Sequence, residues 1–297
     1  NPRNLKKINY LKEEKMANVL QERLNEMVEN IISKIENNET GSWFKSWAGC
    51  GIPTNFATKS SYNGFNILSL MFEAEKNEYK SNYWLTFNQI KELKATVKKG
   101  EKSTPIFFFK PLKIKEENEN GEVIEKTIPL LKSYNVFNLD QTSIELGNED
   151  LKNDIKIEDF ISNLNIEIKN SSEAFYSPKN DYVGIPNISL FDSVDNYYSV
   201  LMHELSHATG HETRLNRDLS GTFGSESYAK EELIAELGSV FLCSYLNIQS
   251  SIRHEAYLKS WLSAIKAEPK LLWKSASEAQ RILDYFISLN KSEEIAA

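Results

Sequence analysis

The run His203-Glu204-Leu205-Ser206-His207 constrains this chain of 297 residues more than any other stretch. In a helix of 3.6 residues per turn, positions four apart project from one face. Both imidazoles can then reach one metal ion, about 2.0–2.1 Å from each nitrogen if the ion is zinc. Glu204 lies beside the ion's open position, where a carboxylate can take a proton from a bound water. Residues 194 to 208 hold neither proline nor glycine, and Val194, Tyr198, Leu201, Leu205 and Ala208 recur at helical spacing. Ser193 or Asp195 is placed to cap this helix and Gly210 to stop it. The competing reading is an amphipathic helix with two incidental histidines. The chain has only four histidines, and two fall here with a glutamate in register, which favours the metal.

A catalytic zinc usually takes three protein ligands plus water, so one helix leaves the site incomplete. His211 follows Gly210, which ends the helix before it, and a further histidine spacing is broken by Thr213. The stretch from Tyr228 to Leu237 reads as a second helix, capped near Ser225 or Ser227 and running to about Tyr245. Glu232 and Glu236 lie one turn apart on a face that also carries Ala229 and Val240. Carboxylates within an apolar stripe are costly to bury unless paired or bound to metal. The alternative is a solvated acidic face.

Composition narrows the class. Hydrophobic residues make up 40% and charged residues 26%, as in a soluble globular protein. A net charge of −7 argues against a wholly basic nucleic-acid binder but leaves room for a basic patch. Cys50 and Cys243 fit no metal-binding spacing and read as free thiols in a reducing cytoplasm. No apolar run is long enough for a membrane span, and no signal peptide is evident.

Taken in order, the chain reads as α+β in two domains, 16–142 and 150–290, divided in the weakly patterned stretch from Asp140 to Asp154. In the first, helical periodicity covers Met16 to Ile35, and a further helix covers Ile67 to Phe72. Strands are expected at Ile106–Lys110 (closed by Pro111), Leu112–Lys115, Val123–Thr127 and Leu130–Phe137, with Asn120-Gly121 as a hairpin turn in an antiparallel sheet. In the second, a short helix at Ile157–Leu164 and three strands precede the metal helix, and two amphipathic helices, Glu255–Lys266 and Ser275–Leu289, close the chain.

Between Lys80 and Lys115, nine lysines face only Glu92 and Glu101, and aromatics are interleaved. Lysines attract phosphates and bases stack on rings, so Trp43, Trp47, Tyr62, Tyr83, Trp84, Lys98, Lys99 and Lys102 are candidates to bind single-stranded nucleic acid. The bland reading is core aromatics and solvating lysines.

These motifs together resemble the ArdC-type antirestriction proteins of plasmids and other mobile elements. The likeness rests on Trp43 and Trp47, Tyr62-Asn63-Gly64-Phe65-Asn66, Tyr83-Trp84-Leu85-Thr86-Phe87-Asn88-Gln89, Lys99-Gly100-Glu101-Lys102 and Val136-Phe137-Asn138. It continues through Tyr176-Ser177-Pro178, Tyr197-Tyr198, the run from His203 to His211 and the run from Tyr228 to Leu237. Ser46 stands where the family often has proline, and Ala208 where an aromatic is common. The resemblance implies a single-stranded-DNA-binding first domain and a zincin-like, gluzincin-type metallopeptidase second domain. It implies that Glu232 is the third ligand to zinc and that Glu236 holds the first histidine; the reverse assignment stays open. Manganese or cobalt could occupy such a site. It also implies conjugative plasmid carriage, protection of incoming DNA from host restriction, and a protein substrate in the restriction machinery. Two alternatives remain: a non-catalytic DNA-binding antirestriction protein with a structural metal, and a general zinc protease. An intact Glu204 favours catalysis, since a structural site needs no base.

Overall fold

The computed structural model describes residues 22–33, 36, 51–117, 123–145, 155–222, 224–249 and 262–291. Trp43, Trp47, Cys50, the Asn120-Gly121 turn and residues 255–261 lie outside them.

The first described element is helix α1 (22–33), which buries Leu24, Met27, Val28, Ile31 and Ile32 at the three-and-four spacing its sequence shows. Strand β1 (Thr54–Asn55) and helix α2 (Phe65–Lys76) follow. Gly64 opens α2 with φ +55, a left-handed backbone that favours glycine. Strand β2 (Tyr83–Thr86) runs directly into helix α3 (Phe87–Glu92), where Thr86 and Gln89 form a reciprocal capping box. Two long strands, β3 (Thr104–Glu117) and β4 (Val123–Asn138), complete a four-stranded sheet in the order β1-β2-β4-β3.

Two expectations need correction here. Pro111 does not close a strand: β3 and β4 pair without interruption from Thr104↔Val136 to Glu117↔Val123, with Pro111 opposite Pro129. Prolines are tolerated because β2 pairs with β4 only at residues 136–138, so among the described residues both strands have a free edge at that point. The sheet is also not wholly antiparallel, since β1 pairs with β2 in parallel.

The second half begins with helix α4 (Ile157–Ser162) and a small sheet of β5 (Glu167–Asn170), β6 (Phe175–Ser177) and β7 (Tyr182–Ile185) in the order β5-β7-β6. The helices α5 (Val194–Ala208), α6 (Glu226–Tyr245), α7 (262–267) and α8 (Lys270–Lys291) follow. Helix α6 packs between α5 and α8 and is buried nearly all round. Gly238 makes the approach close: a Cβ there would stand 2.8 Å from Ile282 Cδ1 and 2.9 Å from Ser206 Oγ.

One continuous hydrophobic core joins the halves, running from α1, α2, Phe107 and Leu131 into α5, α6 and α8. At the seam Trp273 stacks on Phe65 (ring centroids 4.8 Å apart) and meets Phe109 edge-on at 5.6 Å. The Gly64 amide donates to Gln280 Oε1 at 3.0 Å. Among the described residues, no helix is long and apolar enough to cross a membrane.

Candidate metal centre

Helix α5 starts at Ser193, whose hydroxyl accepts from the Asn196 amide at 3.1 Å. Three turns on, His203 and His207 stand with ring centroids 4.8 Å apart, edge to face. Helix α6, capped by Ser225, brings three carboxylates against them. Glu231, Glu232 and Glu236 are all buried, so the solvated acidic face is excluded.

Each carboxylate has its own task. Glu232 bridges the two rings from one side: its oxygens lie 3.6 Å from His203 Nε2 and 3.5 Å from His207 Nε2. Glu236 approaches the far nitrogen of His203, Nδ1, at 3.2 Å. Glu231 hydrogen-bonds Nδ1 of His207, also at 3.2 Å. Thus both Nε2 atoms face one carboxylate, and each Nδ1 has a carboxylate of its own. The donor atoms of His203, His207 and Glu232 all lie within 4.8 Å of one another. Ligands about 2 Å from a tetrahedral ion stand about 3.3 Å apart, so the spacing and the donor set fit one divalent metal.

Glu231 was not singled out from the sequence. Its charge is supported by Arg217, whose Nε and terminal nitrogen donate to its two oxygens at 3.0 and 2.8 Å. Arg217 also donates to Thr209 Oγ1 at 2.8 Å and the Ser206 carbonyl at 2.7 Å, which ties the loop after α5 to the helix. The signal was present only as an extra acid beside Glu232 and an arginine fourteen positions earlier.

The electrostatics follow. Burial opposes charge on both histidines, but the neighbouring glutamates prevail: Glu232 and Glu236 hold the His203 pKa well above its usual value, and Glu231 and Glu232 raise that of His207 to about 9. Burial likewise opposes charge on Glu231 and Glu232, yet the imidazoles, with Arg217 on Glu231, hold both below the usual carboxylate range. Burial pushes the thiol of Cys243, elsewhere on α6, up to about 12, which makes it inert.

The cluster borders a cavity of about 410 Å³, lined by His203, His207, Glu231 and Glu232, with half-buried Glu204 on its wall. Tyr176 and Pro178 form part of another wall, and Leu219 and Gly221 a third. Arg214 braces the second wall. It donates to the Ala208 carbonyl at 2.7 Å, to the Tyr176 hydroxyl at 3.2 Å, and to Asp181, which in turn accepts from Tyr176 at 2.8 Å. His211 faces Thr213 at 2.8 Å and is not part of the three-residue cluster.

The first half disperses its candidates. Lys98, Lys99 and Lys102 are exposed around Gly100, whose φ of +90 makes the turn. Lys98 Nζ donates to the Asp140 carbonyl at 2.7 Å. Tyr62 is half-buried, its hydroxyl receiving Asn55 at 3.3 Å, and Tyr83 is half-buried against Phe56. Trp84 must be corrected. Its side chain is fully buried with Leu70, Ala74 and Val136, because β2 turns it towards α2, and no base can stack on it.

The architecture is that of an α+β protein whose second half is built around a buried histidine–glutamate cluster. Comparison with known proteins gives the lineage. The family model described as "Zincin-like metallopeptidase" matches residues 155–278, and that described as "N-terminal domain of anti-restriction factor ArdC" matches residues 21–137. Protein y4eC of Sinorhizobium fredii (strain NBRC 101917 / NGR234) is 34% identical over 255 residues, covering 82% of this chain and 83% of its own. DNA primase TraC of Escherichia coli is 31% identical over an alignment of 303 positions, which covers 94% of this chain but only 28% of TraC. The metal-free crystal structure of the antirestriction protein ArdC from plasmid R388 superposes with a TM-score of 0.75 at 36% identity, covering 90% of this chain and 97% of that one. Its Mn(II)-bound structure gives 0.69 at 33%, covering 89% and 96%. The chain belongs to the ArdC family of antirestriction proteins and carries its zincin-like metallopeptidase domain.

Proposed function

We infer that this protein shields incoming DNA of a mobile element from host restriction, binding it as a single strand with residues 16–142 and hydrolysing a peptide bond with residues 150–290. One observation carries the catalytic part: two Nε2 atoms and Glu232 converge on a point open to a cavity, with Glu204 on the cavity wall. His203, His207 and Glu232 would hold the metal, with zinc as the ion that such a His₂Glu set most often takes. Once bound, zinc would supply a Lewis acid that polarises a substrate carbonyl and would bring the pKa of a bound water near 7.

The protein's own groups do the rest. Glu204 accepts the proton of the attacking water and returns it to the leaving amine. Glu236 and Glu231 keep each Nδ1 as the donor, so that each Nε2 presents its lone pair. The outer edge of β6 is unpaired in its sheet and lies on the cavity side through Phe175 and Tyr176, so an extended peptide can add to it as a strand. The exposed lysines at 98, 99 and 102 support the nucleic-acid part by supplying phosphate contacts. A cytoplasmic site of action fits the buried, unpaired thiol of Cys243.

The test is Glu204→Gln in the full chain. It should retain zinc and single-stranded DNA binding while losing proteolysis of host restriction subunits in a co-incubation assay. Undiminished proteolysis would remove Glu204 from the mechanism.

A further inference from the structure

The two faces of the first sheet differ. Side chains alternate along a strand, so Trp84 of β2 faces α2 while Tyr83 and Leu85 face the other way. Phe137 of β4 lies opposite Leu85 in register. Phe56 meets Tyr83 edge-on at 5.3 Å, and Phe87 leans on Phe137 at 6.5 Å. Leu85, Ile90 and Leu139 floor this aromatic group from beneath. Phe87 is 48% exposed.

Lysines sit on the rings. Lys59 Nζ stands 4.2 Å above the Phe56 ring and 4.9 Å from that of Tyr83, and Lys91 Nζ stands 4.8 Å above Phe87. A purely apolar partner would have to bury these ammonium groups against its own surface, which is costly. A single nucleic-acid strand suits both features at once. Its bases take the ring faces, and the displaced ammonium groups, on flexible stems, swing to the phosphates beside them. A duplex hides its base faces and cannot use the rings.

We propose that Phe56, Tyr83, Phe87 and Phe137, with Lys59 and Lys91, form the platform on which single-stranded DNA stacks. This rests on the DNA-binding reading above and relocates its aromatic part from Trp84 to the opposite sheet face.

The test is fluorescence anisotropy of the full chain with a labelled oligothymidylate of about twenty nucleotides, across a salt series. Phe87→Ala should weaken binding about five- to hundred-fold with an unchanged salt slope, since stacking releases no counterions. Phe87→Leu, which keeps apolar bulk against Phe137, should weaken it too. The double change Lys59→Gln with Lys91→Gln should flatten the slope by about 1.4, at about 0.7 per phosphate contact. If the unaltered protein binds and all three variants bind within two-fold of it at an unchanged slope, the platform is wrong and the DNA reading survives. If the unaltered protein does not bind, that reading fails and the platform with it. Equal affinity for duplex, equally reduced by Phe87→Ala, would overturn stacking.

Discussion

At the metal centre and at the aromatic platform, charges are handled in opposite ways. Around His203 and His207 each charged group has a fixed, buried partner: Glu236 for one Nδ1, Glu231 for the other, Arg217 behind Glu231. On the sheet face the lysines rest on ring faces at the surface, where they can leave without stranding a buried charge. A buried cluster of opposed charges holds a ligand geometry in advance, at the risk that losing one member strands the others. A surface lysine on a ring costs little to move. The first arrangement suits an ion that demands defined positions, the second a flexible strand.

Several changes break or sharpen that contrast, taken from the largest expected effect downward. His203→Ala or His207→Ala should abolish metal retention, read by elemental analysis after dialysis; full occupancy in either would dismiss the assignment. Glu231→Gln and Glu236→Gln remove the support behind the ligands and should each weaken metal affinity about 10- to 100-fold. Arg217→Met should follow Glu231→Gln in direction, because it leaves Glu231 buried without its cation. Competition with a chromophoric chelator measures all three, and an unchanged Kd for Glu231→Gln would make that carboxylate a bystander.

Gly238→Ala drives a methyl group between α5, α6 and α8 and should cost about 1–3 kcal/mol of stability in a denaturant titration. Because Ser206 lies between the two histidines, the same change should also weaken metal binding. A stable Gly238→Ala chain with native affinity would show that the helices can part without disturbing the ligands.

A smaller effect concerns pH once the metal has been chelated. The folded pKa of His207, about 9, lies above its ordinary value of 6.5. The stabilisation from charged His207 is therefore fully present below about pH 6.5 and lost as pH rises through 9. The Tm of the chelated protein should fall across that window, and that of the zinc-loaded protein should fall less, because bound metal already requires a neutral ring. Metal uptake at pH 7 should release protons into a weakly buffered indicator solution, and uptake at pH 10 fewer, because His207 is then already neutral. The smallest change belongs to the other region: Lys91→Gln should shift Tm by no more than about 2 °C, as for exposed side chains generally.

The metal helices were legible because their spacing rules are local. A four-residue interval fixes one face, and Ser193, Ser225 and Tyr245 stand where the bounds of α5 and α6 were expected. Glu231 was not legible, since its role depends on Arg217, which a loop delivers from outside the helix. In the first half, alternation marks strands but not which face is covered. Tyr83 and Trp84 are neighbours in sequence, and only the position of α2 decides which ring is buried. Pro111 misled because a proline ends a strand only where its amide is needed for pairing.

The seam at Trp273 has a consequence for dissection of the chain. Residue 273 belongs to α8, yet its indole stacks on buried Phe65 of the first half and meets the edge of half-exposed Phe109. A fragment ending near residue 142 would present the Phe65 ring to water together with the underside of α2, and would self-associate. The C-terminal helix thus acts as a keel to which both halves are fastened. A DNA-binding piece that behaves well in solution would have to carry α8 with it.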